Sequence, residues 1–268
     1  MSRVWGTFQI RSFLFITFSL FIKWVIIFVR KIIMNLKRIT LLSFIPALLL
    51  SCSGADLSLE ERLHQAYLDA IEATSEKLRP LVSLIKNEEK VIWNNEGDKV
   101  LLFTLHRYPD SYIEGTTLTI DWDSWLCSVK EYSNWYKNNK GNISDVLLRT
   151  KQVLGMSHES KNTYISSLWI DPSIVIRPAY VTDPTKEMAL QFEQGVSNEY
   201  KAWFESQYYY SYETAHLPWT RLGYTYDWSK EASDRYGLSE FLATDGAVIT
   251  VDKTLTVEDF AKYCESHY

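Results

Sequence analysis

Histidine and carboxylate side chains are the groups in this 268-residue chain that could perform acid–base chemistry. His106 follows a predicted strand, His216 lies in a predicted loop, and Glu240 falls within another predicted strand. A histidine hydrogen-bonded to a carboxylate can act as a general base in hydrolysis. One interpretation is therefore a hydrolase of an unfamiliar type that uses His216 or His106 with a carboxylate such as Glu240.

Motifs of the common hydrolases and nucleotide-binding proteins do not occur in the sequence. It holds no Gly-x-Ser-x-Gly, no His-Glu-x-x-His and no glycine-rich phosphate-binding loop. Asp121 and Asp123 alternate as a metal-ligand pair could, but Trp122 and Trp125 beside them are equally typical of core packing. We therefore expect no metal site and no cofactor, and the sequence favours a protein that is not an enzyme.

Residues 200–228 form the densest aromatic segment, with eleven aromatic side chains in 29 positions. Tyrosine and tryptophan rings offer an apolar face and a polar rim, which suits stacking on sugars, peptides or apolar ligands. The candidate binding residues are Tyr208, Tyr210, Trp219, Arg221, Tyr224, Tyr226, Asp227 and Trp228. For each ring the alternative is that it fills the core beneath a loop and one strand.

The string Pro-Trp-Thr-Arg-Leu-Gly-Tyr-Thr-Tyr-Asp-Trp at residues 218–228 is the most motif-like part of that segment. It resembles a segment of uncharacterised bacterial proteins, and this resemblance implies no activity. Arg221 and Asp227 carry opposite charges near one predicted strand, so we expect them to form a structural ion pair.

Cys52 ends the tetrapeptide Leu-Leu-Ser-Cys, which follows Lys37, Arg38 and an apolar stretch at residues 39–50. This arrangement resembles the lipobox of bacterial lipoproteins, in which a small residue precedes a cysteine that is lipidated and becomes the mature N-terminus. The apolar stretch is shorter than the roughly 20 residues that a membrane-spanning helix needs. The resemblance implies a cell-envelope protein that is anchored by lipid on Cys52, at the periplasmic face of a membrane or at the cell surface.

Four segments follow from this interpretation. Residues 1–33 are an N-terminal extension from a misassigned start or a membrane segment, and residues 34–51 are a lipoprotein signal peptide. Residues 52–57 form a lipidated tether, and residues 58–268 form a single globular domain. An oxidising envelope would permit a disulfide between Cys127 and Cys264, and two separate buried thiols are the alternative.

Removal of residues 1–51 makes the chain strongly acidic. That segment holds seven basic residues and no acidic ones, so its loss changes the formal net charge from −5 to −12. Such a surface repels phosphate backbones, and we expect no nucleic-acid partner. The sequence predicts a membrane-anchored binding module whose partner is an envelope protein, a glycan, or a basic toxin that the lipoprotein neutralises in an immunity role.

Helix signals occur along most of the globular region. Ser58 opens a capping box with Glu61, and Gly155 is the expected left-handed residue after a helix. The predicted helix starts are Ser58, Ser144, Asp183 and Ser197. The spacing of apolar residues around residues 125–136 predicts a further helix.

Strand signals come in hairpins and not in strand–helix–strand units. Residues 164–170 form a predicted strand, and residues 238–244 and 247–251 flank Asp245-Gly246, a dipeptide that favours a type I′ hairpin turn. The predicted fold class is therefore α+β, a single domain with an antiparallel-dominated sheet built from hairpins and with helices packed on one face.

Overall fold

The computed structural model of the protein describes residues 56–268. The predicted N-terminal extension, the signal peptide and Cys52 lie outside these residues. Leu57–Tyr268 form one compact unit. Within the described part of the chain, no helix has the length and apolar character needed to cross a membrane.

The described residues contain five α-helices and eight strands. The helices are α1 (Leu59–Ala70), α2 (Val129–Asn139), α3 (Val146–Val153), α4 (Asn198–Tyr209) and α5 (Val257–His267). The strands are β1 (Val100–His106), β2 (Thr117–Thr119), β3 (Ser124–Ser128), β4 (Tyr164–Ile170), β5 (Val175–Ile176), β6 (Tyr224–Tyr226), β7 (Tyr236–Ala243) and β8 (Val248–Thr256). A π-helical turn, Tyr210–Thr214, extends α4.

All strands join one antiparallel sheet in the order β2-β8-β4-β1-β3-β7-β5, and β6 pairs with β7 beside β5. The longest ladders join β4 to β1 and to β8, each over seven residue pairs. The predicted α+β class with an antiparallel sheet is confirmed.

Strands β7 and β8 are consecutive in the chain but four positions apart in the sheet. Because each neighbouring pair between them is antiparallel, β7 and β8 run in the same direction. In a flat sheet the end of β7 and the start of β8 would therefore lie at opposite ends of the strands, and the four inter-strand spacings alone would separate them by about 19 Å. The five peptide steps from Ala243 to Val248 reach at most about 18 Å. The sheet must therefore curl until these two ends meet.

The predicted hairpin around Asp245-Gly246 is wrong, because β7 and β8 do not pair with each other. A tight turn is present, since the Ala247 N–H donates to the Thr244 carbonyl at 3.1 Å. The strands that leave it pair elsewhere, β7 with β3 and β8 with β4. A turn signal is local, whereas the choice of partner strand depends on the packing of the whole sheet.

The two faces of the sheet pack against different material. One face packs on α2, α3 and α5 through Leu101, Phe103, Ile165, Tyr132, Val153 and Phe260. The other face encloses a core from both halves of the curled sheet and from loops, including Leu102, Leu168, Phe241, Val82, Tyr112 and Ile120. Helices therefore cover one face, as predicted, and the curl closes over the other.

Several helix boundaries follow the sequence signals. The Glu61 N–H donates to Ser58 Oγ at 3.2 Å and the Ser58 N–H donates to the Glu61 carboxylate at 2.9 Å, which is the predicted capping box. Ser197 Oγ accepts from the Tyr200 N–H at 3.1 Å and begins α4. Gly155 follows α3 with φ of +66°, a left-handed conformation that glycine adopts readily.

Three local predictions are wrong. Trp125 lies in β3 and not in a helix, because that segment pairs with both β1 and β7 and the helix begins only after Ser128. The N-cap of α3 is Asp145 and not Ser144. Asp183 starts no helix; its carboxylate instead accepts from the Thr185 N–H at 2.9 Å and holds a turn.

Candidate functional site

Strands β1 and β3 diverge soon after they meet. Their register consists of two pairs, Leu102 with Ser128 and Phe103 with Cys127, although β1 continues to His106. Beyond these pairs β1 stays on β4 and β3 stays on β7. The sheet therefore opens along the C-terminal half of β1 and the N-terminal half of β3.

A cavity of about 820 Å³ occupies this opening. Both alternating sets of strand side chains line it, with Phe103 and Trp125 from the helix-covered face and Ser124 and Leu126 from the curled side. The loop after α3 and the loop before β6 complete the wall with Leu154, Met156, Leu217 and Pro218. The walls are mostly apolar and aromatic.

Glu240 is the buried carboxyl of this cavity. It lies on β7 opposite Cys127, and its side chain keeps only 8% of its exposure. Its Oε2 atom has no hydrogen-bond partner among the described residues. Burial raises the pKa of Glu240 to about 8, and the neighbouring Trp219 side chain offsets part of that increase. Glu240 is therefore mostly protonated at neutral pH and gains its charge within the range of slightly alkaline conditions.

Two indole rings lie near the Glu240 carboxyl. Trp125 and Trp219 meet edge to face with their ring centroids 6.0 Å apart, and both line the cavity. Trp219 is buried and its Nε1 has no hydrogen-bond partner within the described part of the chain. The cavity thus holds an unpartnered donor and an unpartnered carboxyl oxygen between aromatic faces.

The charged side chains of the lining differ sharply in burial. They are Arg107, Asp123 and Glu240. Arg107 is exposed and donates to the Tyr108 hydroxyl at 2.7 Å, and half-buried Asp123 accepts from Trp203 Nε1 at 2.6 Å. Glu240 is therefore the buried carboxyl of the lining, and Asp123 is the half-buried one.

The eight candidate binding residues differ in exposure, and four of them line the cavity. Tyr210, Trp219, Tyr224 and Tyr226 line the cavity. Tyr208 and Tyr210 are exposed on α4 and the π-helical turn. Trp219, Tyr224, Tyr226, Trp228, Arg221 and Asp227 are buried, so they form no continuous surface.

Trp219 excepted, the hydroxyl and indole hydrogens of the buried aromatic residues in this set form hydrogen bonds within the domain. Tyr224 donates to the Lys77 carbonyl at 3.0 Å, Tyr226 to Asp69 at 2.9 Å, and Trp228 Nε1 to the Met156 carbonyl at 2.9 Å. These bonds join β6 to α1 and to the short turn after it, and they join Trp228, just beyond β6, to the loop after α3. Trp228 is a structural residue, whereas Tyr224 and Tyr226 serve both structure and cavity wall.

The expected ion pair between Arg221 and Asp227 is wrong. Asp227 binds Arg149 of α3 through two parallel hydrogen bonds of 3.0 and 2.5 Å. Arg221 instead donates to the Tyr212 hydroxyl at 3.0 Å and to the carbonyls of Ala70 and Ile71 at the end of α1. A guanidinium at a helix C-terminus satisfies carbonyls that have no partner within the helix.

His106 lines the cavity but has both ring nitrogens in use. Nδ1 accepts from the Tyr108 N–H at 3.1 Å, and Nε2 lies 2.7 Å from Ser166 Oγ, which continues to Thr254. The first bond requires an unprotonated Nδ1, so Nε2 carries the proton. Burial lowers the pKa of His106 to about 4. No carboxylate lies among the hydrogen-bond partners of His106 in the described residues.

His216 lies outside the cavity lining. It is exposed, its φ is +50°, and its ring lies tilted beside that of Tyr67, with the centroids 5.0 Å apart. The structure therefore brings Glu240 and His106 to one cavity and leaves His216 elsewhere. Among residues 56–268, no cluster of three or more histidine, cysteine or acidic side chains could hold a metal ion.

Cys127 and Cys264 are free, buried thiols, so the disulfide considered from the sequence does not form. Cys127 lies in β3 opposite Glu240, and Cys264 packs in α5. Burial raises the pKa of the Cys127 thiol, and the nearby Glu240 and Glu131 carboxyls raise it further. Cys127 is therefore a neutral part of the cavity wall.

Sequence reasoning missed the wall that β1 and the loops contribute. Phe103, Leu105, Leu154 and Leu217 are ordinary core residues by type, and nothing in their spacing indicates an opening. Trp125, close to Asp121 and Asp123, is the available signal, but its spacing to Val129 and Tyr132 predicts a helix. The divergence of two strands is a property of the folded sheet.

Comparisons with known proteins give no relative: no protein-family model, no curated protein and no solved structure matches this chain.

Proposed function

We propose that the described domain is a binding module for a small ligand, carried by a lipoprotein that is anchored to a cell-envelope membrane through Cys52. The observation that carries the binding function is the 820 Å³ cavity between β1 and β3. Ligand sites are typically cavities of about 300–1,000 Å³ with mostly apolar walls and a few well-placed polar groups. Size and lining both fit this class.

The polar groups of the cavity support ligand binding over simple core packing. Buried polar atoms in folded proteins are nearly always hydrogen-bonded, because an unpaired group costs free energy. Glu240 Oε2 and Trp219 Nε1 are exceptions among the described residues. They are neighbours, since the Trp219 N–H lowers the pKa of Glu240, but no bond between them has normal hydrogen-bond geometry. A ligand with a polar end would satisfy both and would bury its apolar part against Phe103 and Trp125.

The lipid anchor rests on the resemblance of residues 49–52 to a lipobox. With cleavage before Cys52, residues 52–57 leave a short tether between the membrane and α1, which begins at Leu59. The formal charge of −12 would keep the domain from adhering to anionic lipid, so the acyl chains would hold it. The module would thus sample ligands close to an envelope membrane.

A protein partner is the second candidate, and one observation favours it. Tyr208, Tyr209 and Tyr210 are consecutive and exposed, with 37%, 65% and 53% of their surface accessible. Exposed tyrosines are common where proteins meet. A basic toxin neutralised by this acidic chain would use that patch. The hydrolase alternative has no such support, because neither His106 nor His216 bonds a carboxylate within the described chain.

The cavity function is tested with a neutral apolar fluorophore, N-phenyl-1-naphthylamine, whose emission rises when it leaves water. We expect saturable binding of one molecule per chain. Leu217 lines the cavity and is half-buried, so Leu217→Trp places an indole into the opening and should weaken binding at least about tenfold. Leu190→Trp is the matched control, since Leu190 lies outside the lining and is already exposed.

Binding that does not saturate, or an equal affinity in Leu217→Trp and the unaltered chain, would contradict the small-ligand function. The tyrosine patch is tested separately by Tyr209→Ser with Tyr210→Ser in a pull-down from envelope extracts. Loss of a captured basic protein in that variant, together with no fluorophore binding, would favour the protein partner.

A further inference from the structure

We propose that the ligand of the cavity is an organic cation, with a protonated amine that binds Glu240 and an apolar body that lies along the aromatic wall. This inference rests on the proposed binding function and names its ligand class. It is carried by the position of Glu240, a carboxyl that is more than nine-tenths buried, lines the cavity and leaves Oε2 without a partner in residues 56–268.

The surroundings of Glu240 lack a built-in cation. Arg177, a buried guanidinium, donates to the Val82 and Pro184 carbonyls and lies over the Phe241 ring, on the opposite face of β7 from Glu240. Arg107, the basic residue of the lining, is exposed and bonded to Tyr108. A buried carboxylate is stable only when it is paired. The positive charge would therefore come from the ligand.

Aromatic rings beside the carboxyl also favour a cation. The electron-rich faces of tryptophan and tyrosine attract ammonium groups within about 6 Å of the ring centre. Trp125, Trp219 and Tyr224 line the cavity with Glu240. The Glu240 carboxylate and the electron-rich ring faces would repel an anion inside the cavity. The net negative charge of the mature chain would also repel an anion in solution.

Cys127 and Tyr200, which face Glu240 from other elements, stay neutral around pH 7, whereas Glu131 titrates there and Asp123, a half-buried carboxyl, shares the cavity. Burial raises the pKa of Cys127 on β3 and of Tyr200 on α4. Glu131 at the start of α2 lies further from Glu240. Its carboxyl group accepts from the Ser239 N–H at 2.8 Å, and burial raises its pKa to about 7. A pH effect on cation binding can therefore be assigned to Glu240 only when a variant removes it.

The test compares 2-phenylethylammonium with 2-phenylethanol, which has nearly the same shape without the charge. Displacement of N-phenyl-1-naphthylamine gives both affinities between pH 6 and 9. In the unaltered chain the ammonium should bind about tenfold more tightly at pH 7 than at pH 6, because the ionised fraction of Glu240 rises tenfold, and should level off above pH 8. The affinity for 2-phenylethanol should stay constant.

The matched variant is Glu240→Gln, which keeps the size of the side chain and removes its charge. We expect it to weaken ammonium binding at pH 8 at least about tenfold, to change alcohol binding less than about threefold, and to abolish the pH effect. Equal changes for both probes, or an unchanged preference for the cation, would overturn the inference.

Two failures are distinguishable in this design. If neither probe displaces the fluorophore and the fluorophore itself does not bind, the proposed binding function fails. If 2-phenylethanol and the fluorophore bind but the ammonium shows no pH dependence, only the cation assignment fails. Should Glu240→Gln prove unfolded by circular dichroism, Glu131→Gln decides: a pH effect on ammonium binding that persists in this variant supports Glu240, and one that disappears overturns the assignment.

Discussion

At the scale of single residues, burial fixes the behaviour of Glu240. The strand β7 places its side chain opposite Cys127 and beside Trp219, where water is largely excluded. Desolvation disfavours the charged form of a carboxyl, and no basic side chain of the described residues counters it. The free protein therefore holds a neutral carboxyl near pH 7, which a cationic ligand would convert to a carboxylate.

This burial predicts a pH dependence of stability. Between its ordinary pKa of 4.5 and about 8, Glu240 is protonated in the folded state and ionised in the unfolded chain, so unfolding releases a proton and stability falls as pH rises. Glu240→Gln removes this loss. Its free energy of unfolding relative to the unaltered chain should rise by up to about 1.4 kcal/mol per pH unit across that window.

Urea titrations at pH 5, 6.5 and 8 measure this difference. Glu114→Gln is the control, because Glu114 is nearly exposed and its pKa is lowered by Lys253, so the control should show no such rise. A constant difference between Glu240→Gln and the unaltered chain at all three pH values would show that the carboxyl is not buried as described.

The predicted pairing of Arg221 with Asp227 is wrong because buried charge partners come from distant parts of the chain. Arg221 and Asp227 are six positions apart, yet Asp227 binds Arg149, which lies 78 positions earlier. Arg221 forms no ion pair with Asp227 and donates instead to the Tyr212 hydroxyl. The identity of a buried partner depends on which helix packs over the strand, and no spacing in a single sequence contains that information.

At the scale of elements, the cavity wall depends on a close crossing of β7 and α3. Gly237 of β7 lies against Thr225 of β6 and the Val153 carbonyl at the end of α3. A Cβ atom at Gly237 would lie 2.1 Å from both Thr225 Oγ1 and the Val153 oxygen, much closer than van der Waals contact allows. Only glycine fits at this crossing, and the loop after α3 begins there.

Gly237→Ala should therefore destabilise the domain by about 3 kcal/mol or more, since strands and helix would have to separate. Gly141→Ala is the matched control: a Cβ atom there meets nothing within 4 Å, and we expect a change of less than about 0.5 kcal/mol. Thermal or urea unfolding of both variants measures the difference. Similar stability of the two variants would contradict the described crossing.

Elements were predictable where their signals are local. The strand at Tyr164–Ile170 and the capped starts of α1 and α4 follow directly from alternation and from Ser58 and Ser197. The Asp245-Gly246 turn was also recognised, but the strands beside it do not pair. Local turn chemistry predicts that the chain reverses or bends, and long-range packing decides which strands become neighbours.

At the scale of the whole molecule, the curled sheet and the split between β1 and β3 belong together. The two-pair contact of these strands lets one half of the sheet turn over the other, and the curl brings the ends of β7 and β8 together. The inner core fills most of the curl, and the cavity occupies the edge where the halves separate. None of this could be predicted from the sequence, because it depends on the order of strands.

The proposed anchor makes a prediction for the intact chain. Expression in bacteria with a palmitate analogue should label the protein, and Cys52→Ala should abolish the label, while Cys264→Ala should retain it because Cys264 is buried in the domain. A chain that starts at Met34 should be labelled equally if residues 1–33 are not needed for export. Label that persists in Cys52→Ala would contradict the lipoprotein assignment.

The most direct measurement of ligand binding in the cavity is the indole N–H spectrum by nuclear magnetic resonance, with signals assigned by Trp→Phe variants. Titration with N-phenyl-1-naphthylamine should shift the signals of Trp125 and Trp219, which line the cavity, with one saturation curve. Trp93, which packs against the inner core outside the lining, should not shift. Unchanged Trp125 and Trp219 signals at saturating fluorophore, or equal shifts at Trp93, would contradict the proposed cavity site.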